Sequence, residues 1–124
     1  MQNHNPKWKI DINNRAYNFG LNIIKLTDKL PNKRSAWVIT DQVIRSSTSI
    51  GANLFEARAS SSRLEYKKYY EISLKSSNET KYWLNLLKDS LLIDPTPVND
   101  LISEVTELSN MLASGVLKLK GKKL

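Results

Sequence analysis

Residues 45–79 read Arg45-Ser-Ser-Thr-Ser-Ile-Gly-Ala-Asn-Leu-Phe-Glu56, a small polar break, then Glu65-Tyr-Lys-Lys-Tyr-Tyr-Glu-Ile-Ser-Leu-Lys-Ser-Ser-Asn-Glu79. Small and polar side chains recur in both halves at helical spacing, on segments that also carry Ile50, Leu54, Phe55, Tyr66, Tyr69 and Ile72. Residues three and four apart share a helix face, so polar groups are set beside a packed apolar interface. That pattern points to specific helix contacts, not to catalysis.

The first half extends from about Ser35 to Ala57, with Ala36, Thr40, Val43, Ser47, Ile50, Leu54 and Ala57 forming a heptad-like stripe of modest volume. Small side chains there admit a neighbouring helix within the roughly 8–10 Å range of interaxial distances. Ser60-Ser61-Ser62 is a loop or N-cap, and Ser62 with Glu65 has capping-box spacing, so the next helix starts at Ser62 or Arg63. It runs to about Leu91, with Tyr66, Tyr69, Ile72 or Ser73, Ser76, Thr80, Trp83, Leu87 and Leu91 near one face. At roughly 1.5 Å per residue it is about 43 Å long, the spine of the domain.

Two further helices flank this pair. Ile12 to Leu30 carries Phe19, Ile23, Leu26 and Leu30 on one stripe and is stopped by Pro31-Asn32. Asp94-Pro95-Thr96-Pro97 is a break, with Thr96 read as N-cap and Pro97 as the first helical residue. The last helix repeats Val98, Leu101/Ile102, Val105, Leu108, Leu112, Gly115/Val116 and Leu119 at three and four. Asp100, Glu104 and Glu107 lie early in it and lysines late, matching the helix dipole. No strand pattern competes. Short connections predict an all-α, antiparallel, up-down-up-down four-helix bundle over residues 12–119, with a tail at 1–11 and a basic tail at 120–124.

With 124 residues the chain fits one domain, and only four glycines and four prolines interrupt it. Cysteine is absent and the single histidine, His4, lies in the polar amino-terminal tail, which removes thiolate chemistry and the usual zinc sites. No apolar run approaches the roughly 18–20 residues that span a bilayer, and no leader pattern opens the chain, so a cytoplasmic protein without a membrane role is expected. The net charge of +7 and a pI near 9.7 bias it toward polyanions. Lys118, Lys120, Lys122 and Lys123 crowd the last seven residues as a solubilising tail or as phosphate contacts.

Catalytic signatures are missing. The serines have no histidine or activated base beside them, no Glu-x-x-His motif offers a di-metal site, and Gly20, Gly51, Gly115 and Gly121 are isolated, so no phosphate loop forms. No catalytic residue, metal ligand, cofactor or small-molecule substrate is therefore predicted. Arg45, Ser49, Asn53 and Glu56 fall at spacings of four, four and three on one stripe. With Glu65, Ser76 and Glu79 on the following antiparallel helix they form a buried or interfacial polar network, read as fixing helix register or subunit docking, with direct ligand recognition as the other reading. Tyr66, Tyr69, Tyr70, Tyr82 and Trp83 lie among Lys67, Lys68, Lys75 and Lys81. The interleaving resembles a stacking surface for single-stranded nucleic acid, but on a long helix we take these rings as core aromatics beside a solvated basic face.

At these residues the chain resembles the bacterial four-helix-bundle family of proteins encoded by intervening sequences in large-subunit ribosomal RNA genes. The family pattern, approximately R-x-x-x-S-I-P-x-N-I-A-E-G, a short link, then E-F-x-x-F-L-x-I-A-x-G-S-x-x-E, is matched by Arg45, Ser49, Ile50, Asn53, Leu54, Glu56, Glu65, Tyr66, Tyr69, Ile72, Ser76 and Glu79. Leu26-Thr-Asp-Lys-Leu-Pro31 matches the end of the family's first helix, and the likeness covers roughly residues 15–120. Gly51 stands where the pattern has proline, Phe55 where it has alanine, and Ala57 and Lys75 where it has glycine. The resemblance implies homopentameric rings with a basic surface. It also implies kinship with the accessory variability protein of diversity-generating retroelements, which binds a reverse transcriptase and nucleic acid.

The leading expectation is a non-enzymatic, oligomeric basic bundle that binds RNA or DNA through Lys67, Lys68, Lys118, Lys120, Lys122 and Lys123, as an accessory to a reverse transcriptase or to ribosomal RNA carrying an insertion. The alternative is a protein–protein adaptor ring without nucleic acid. A third, an enzyme in the Arg45/Glu56/Glu79 cluster, requires a cleft with perturbed carboxylates.

Overall fold

The computed structural model describes residues 11–121, and these are all-α, with four helices and no strand among them. The helices are α1 (Ile12–Thr27), α2 (Arg34–Arg58), α3 (Arg63–Ser90) and α4 (Pro95–Leu119). The sequence expectations for His4, Lys122 and Lys123 fall outside the described residues.

Local chemistry explains the boundaries. Asp11 caps α1 by accepting from the Asn13 backbone N–H at 3.0 Å and side-chain amide at 2.9 Å. α1 ends at Thr27 rather than Leu30, because the backbone tightens into i to i−3 turns, Lys29 N–H to Leu26 C=O and Leu30 N–H to Thr27 C=O. Ser62 caps α3 as expected, accepting from the Glu65 N–H at 3.1 Å, while the Glu65 carboxylate accepts from the Ser61 N–H one residue upstream of the standard box. α4 starts earlier than the sequence reading. Asp94, not Thr96, is the N-cap, accepting from the Thr96 N–H at 3.1 Å, and Pro95 opens the helix. Both prolines then occupy the first turn, where backbone donors have no intrahelical partner and their loss costs nothing.

The helices pack in a ring in which each touches its two neighbours and no close backbone approach crosses the diagonals. The residues that meet across each seam show every neighbouring pair along the chain to be antiparallel. Ala16 lies beside Gly51 and Gly20 beside Thr48; Ser73 reaches Ile50, Ser76 reaches Ser49 and Thr80 reaches Ser46; Ser77 meets Ser109 and Arg63 meets Lys118. Phe19, Ile23, Val43, Ile50, Leu54, Leu84, Leu87, Val105, Leu108 and Leu112 fill the centre. Each such side chain contributes about 1.5–3 kcal/mol on full burial.

The buried stripe of α4 follows the sequence reading, with Val98, Leu101, Val105, Leu108, Leu112 and Val116 inside. In α3 it does not. Ser73, Ser77, Thr80, Leu84 and Leu87 are buried, whereas Ser76 and Trp83 are half-buried and Leu91 is 76% exposed. α3 lies between α2 and α4, so its inward face is wider than one stripe, and the expected stripe ran along its α2 edge. α2 passes unbroken through Gly51, where the family pattern has proline.

Candidate functional site

Three surfaces carry the chemistry. The first is the α2/α3 seam. Arg45 pairs with Glu79 and also donates to the Gln42 side-chain oxygen from Nη2 (2.8 Å) and Nε (3.2 Å), and the Trp83 indole donates to Glu79 Oε2 at 2.9 Å. Hydrogen bonding from Trp83, reinforced by Arg45, holds the Glu79 carboxyl below its usual range. The Asn53 amide donates to the Ser49 carbonyl (2.8 Å) and hydroxyl (3.0 Å), and Ser76 Oγ lies 2.9 Å from Ser49 Oγ. Five of the seven predicted polar residues are thus brought together as Arg45–Glu79 and Asn53–Ser49–Ser76. The remaining two are not: Glu65 caps α3, and Glu56 is exposed along a different seam. The third expectation required a carboxylate perturbed for proton transfer, and Glu79 is ion-paired and lowered instead.

Beneath this partly exposed layer lies a buried one whose pairings sequence reasoning missed, although Ser73 and Thr80 lay on the expected stripe of α3. Thr80 Oγ1 is 2.9 Å from Ser46 Oγ and 2.8 Å from the Ser76 carbonyl oxygen, and the Ser73 hydroxyl donates to the Ile50 carbonyl at 2.8 Å. On the α4 side Ser77 and Ser109 hydroxyls are 2.6 Å apart. Among the described residues no buried side-chain nitrogen or oxygen lacks a partner. The spacing of Ser73, Ser77, Thr80, Leu84 and Leu87, at four, three, four and three, signals a shared face but not which hydroxyls pair. Arg15 was also missed. Its Nε and Nη2 reach Glu104 at 3.1 and 2.7 Å and its Nη2 reaches Glu107 at 3.0 Å, tying α1 to α4.

The second surface is the end of the bundle where α3 begins and α4 ends. Antiparallel packing puts Lys67 and Lys68, early in α3, at the same end of the bundle as Lys118 and Lys120, some fifty residues away in sequence, and adds Arg63, whose guanidinium donates to the Lys118 carbonyl at 3.0 Å. Lys120 approaches Glu71 at 3.6 Å, with both side chains about 40% exposed, a pairing of little strength. The aromatic residues bear out the core reading only in part, with Tyr70 and Trp83 packed against the core. Tyr66, Tyr69, Tyr70 and Trp83 are only half-buried, and Tyr82 is 62% exposed. Tyr66 and Tyr70 stack, with ring centroids 5.2 Å apart and planes 21° apart.

The third is a groove of about 640 Å³ between α1 and α2. Tyr17, Leu21 and Ile24 of α1 and Thr48, Ala52 and Phe55 of α2 line it, together with Glu56 and Arg58. Tyr17 and Phe55 are more than two-thirds exposed. Among the described residues no group of acids and histidines is placed to hold a metal ion, and no helix is long and apolar enough to cross a membrane.

The family described as 23S rRNA-intervening sequence protein matches residues 9–114. Among solved structures, the chain is similar to a protein of unknown function from the S23 ribosomal protein family of Bacteroides thetaiotaomicron VPI-5482. The likeness has 33% identity and a TM-score of 0.80, and covers 86% of this chain and 98% of that one. No curated protein matches the sequence. The pairing of Arg45 with Glu79 and of Ser49 with Asn53 and Ser76, on the residues that carry the motif, agrees with the match along the chain: this protein belongs to the 23S rRNA-intervening sequence protein family.

Proposed function

We propose that this protein is a non-enzymatic, homo-oligomeric basic bundle that binds nucleic acid at the end formed by the start of α3 and the close of α4. The observation that carries the reading is the convergence there of Arg63, Lys67, Lys68, Lys118 and Lys120 from two distant segments of a chain with net charge +7. Among the described residues, Lys67, Lys68 and Lys118 have no carboxylate within ion-pairing distance. Cations free of internal partners attract phosphates and release their counterions. The family's description, which ties it to 23S rRNA, supports a polyanion as ligand.

A single end of this size gives modest affinity, and a ring of copies multiplies it. The exposed apolar walls of the α1/α2 groove, with Tyr17 and Phe55 foremost, support a second copy as the groove's occupant, and a pentameric ring is our reading of the assembly. In that reading the protein works in the cytoplasm, as an accessory to a reverse transcriptase or to ribosomal RNA bearing an insertion. The same groove favours the second reading, an adaptor ring whose partner is another protein.

The test is titration of RNA and DNA across a salt series. Binding should weaken steeply with salt, and replacing Lys67, Lys68, Lys118 and Lys120 by glutamine should flatten the slope by about one for each phosphate no longer neutralised. Salt-insensitive or absent binding overturns the reading. Light scattering should give a multiple of the chain mass that drops for Phe55→Ser; a monomeric wild type refutes the ring. Asn53→Leu or Glu79→Ala should impair assembly or stability more than surface lysine changes do, and unchanged mass and melting for both would count against the polar seam as a structural element.

A further inference from the structure

We infer that the basic end reads single-stranded nucleic acid, with the Tyr66 ring as the platform on which a base stacks. The inference rests on the nucleic-acid reading above and adds the form of the ligand and the residue that selects it. Tyr66 is partly solvent-exposed, in the first turn of α3, between Arg63 and Lys67, which lie three residues before it and one after. Its ring is held by the stack on Tyr70.

Tyr70 is in turn seated on α4. A Cβ built on Gly115 would lie 2.6 Å from Tyr70 Cε2, so the ring occupies space that any other residue at 115 would claim. The Tyr66–Tyr70 pair is therefore ordered before a ligand arrives, which lowers the entropy cost of binding. Three of the acids at this end are engaged elsewhere: Asp11 caps α1, Glu65 accepts from the Ser61 N–H and Glu71 faces Lys120, while Glu56 stands exposed near the close of α2, beside the α1/α2 groove. Arg63 and Lys67 from the first turns of α3, with Lys118 and Lys120 from the close of α4, give the ring's surroundings a positive charge. An aromatic face beside a cationic track suits unstacked bases, whose π-faces are free. In a duplex those faces are covered by neighbouring base pairs, so a duplex engages the lysines alone.

Fluorescence anisotropy with a short oligothymidylate, and with a duplex of equal length, tests this on the full chain. The wild type should prefer the single strand. Tyr66→Leu should weaken single-strand binding by roughly five-fold or more, the range expected for loss of one base–aromatic stack, with duplex binding and the salt slope unchanged, whereas Tyr66→Phe should retain it. Photocrosslinking of a bromodeoxyuridine-substituted strand to the unmodified protein gives a readout independent of mutant folding, and should map to Tyr66. Crosslinks confined to other residues, or single-strand affinity untouched by Tyr66→Leu while lysine replacement abolishes it, would overturn the stacking site and leave the basic end standing. Absence of binding to either probe by the wild type would remove both.

Discussion

Thr80→Val is the sharpest probe of what locks α2 to α3. The substitution keeps the side-chain volume and replaces a fully buried hydroxyl, 2.9 Å from Ser46 Oγ and 2.8 Å from the Ser76 carbonyl oxygen, with a methyl group. Ser46 is also fully buried and is left with only the Val43 carbonyl at 3.4 Å. Leaving a buried hydroxyl short of partners costs about 1–2 kcal/mol, about 4–8 °C in melting temperature for a domain of this size. Ser46→Ala removes one bond but leaves Thr80 bonded to the Ser76 carbonyl, and should cost about 0.5–1 kcal/mol. In the double variant no hydroxyl is stranded, so its cost should fall short of the sum of the singles by about 0.5 kcal/mol or more. Urea unfolding at fixed protein concentration, with an unchanged slope against denaturant, reads all four corners of the cycle. Costs that add within about 0.3 kcal/mol would show that the hydroxyls act independently and refute the coupling.

Gly51→Ala should stabilise the bundle by about 0.5–1 kcal/mol, because a Cβ there meets Ala16 at an ordinary 3.7 Å and the helix interior gains propensity. Gly115→Ala, with the same propensity gain, should instead lower the melting temperature as its Cβ drives into Tyr70; equal stabilisation by both would refute the packing argument. Leu91 ends α3 at φ 59° with its side chain 76% exposed, so Leu91→Gly should raise stability by about 0.5–1 kcal/mol, and an unchanged midpoint would count against strain at this cap. Burial, with Tyr66 beside it, pushes the Tyr70 phenol up to about 12 from 10.0. A raised pKa favours the protonated phenol in the folded state, so this contribution is intact below pH 10 and is lost as pH rises toward 12. The stability difference between the wild type and Tyr70→Phe should therefore shift across that window in alkaline denaturation, and a constant difference would refute it.

The polar seam shows how far residue spacing carries. Ser49, Asn53, Ser76, Arg45 and Glu79 were legible because their spacings place them on facing edges of two helices. Glu56 shares the stripe in sequence yet faces the α1/α2 groove region, and Glu65 sits where a helix start claims its carboxylate. The buried Ser46–Thr80 and Ser77–Ser109 pairings were not legible, since a serine at helical spacing looks alike whether it faces solvent or a neighbouring hydroxyl. Likewise, nothing local in Arg15 shows that Glu104 and Glu107 await it across the bundle.

Apolar periodicity, scarce breakers and capping residues by themselves determined the four helices, close to their ends, because these are short-range properties of the backbone and of one helix face. The tertiary arrangement alone decided which cations share a surface. Lys67 and Lys118 come to the same end of the bundle only when α3 and α4 pack antiparallel, and Tyr66, on the same helix face as Ser73, Ser77 and Thr80, is a partly exposed ring rather than a core residue because it lies in the first turn of α3, at the bundle's end. Burial of the helix faces against one another sets which segments meet at each end, and that is a property of the whole packed ring rather than of any one segment.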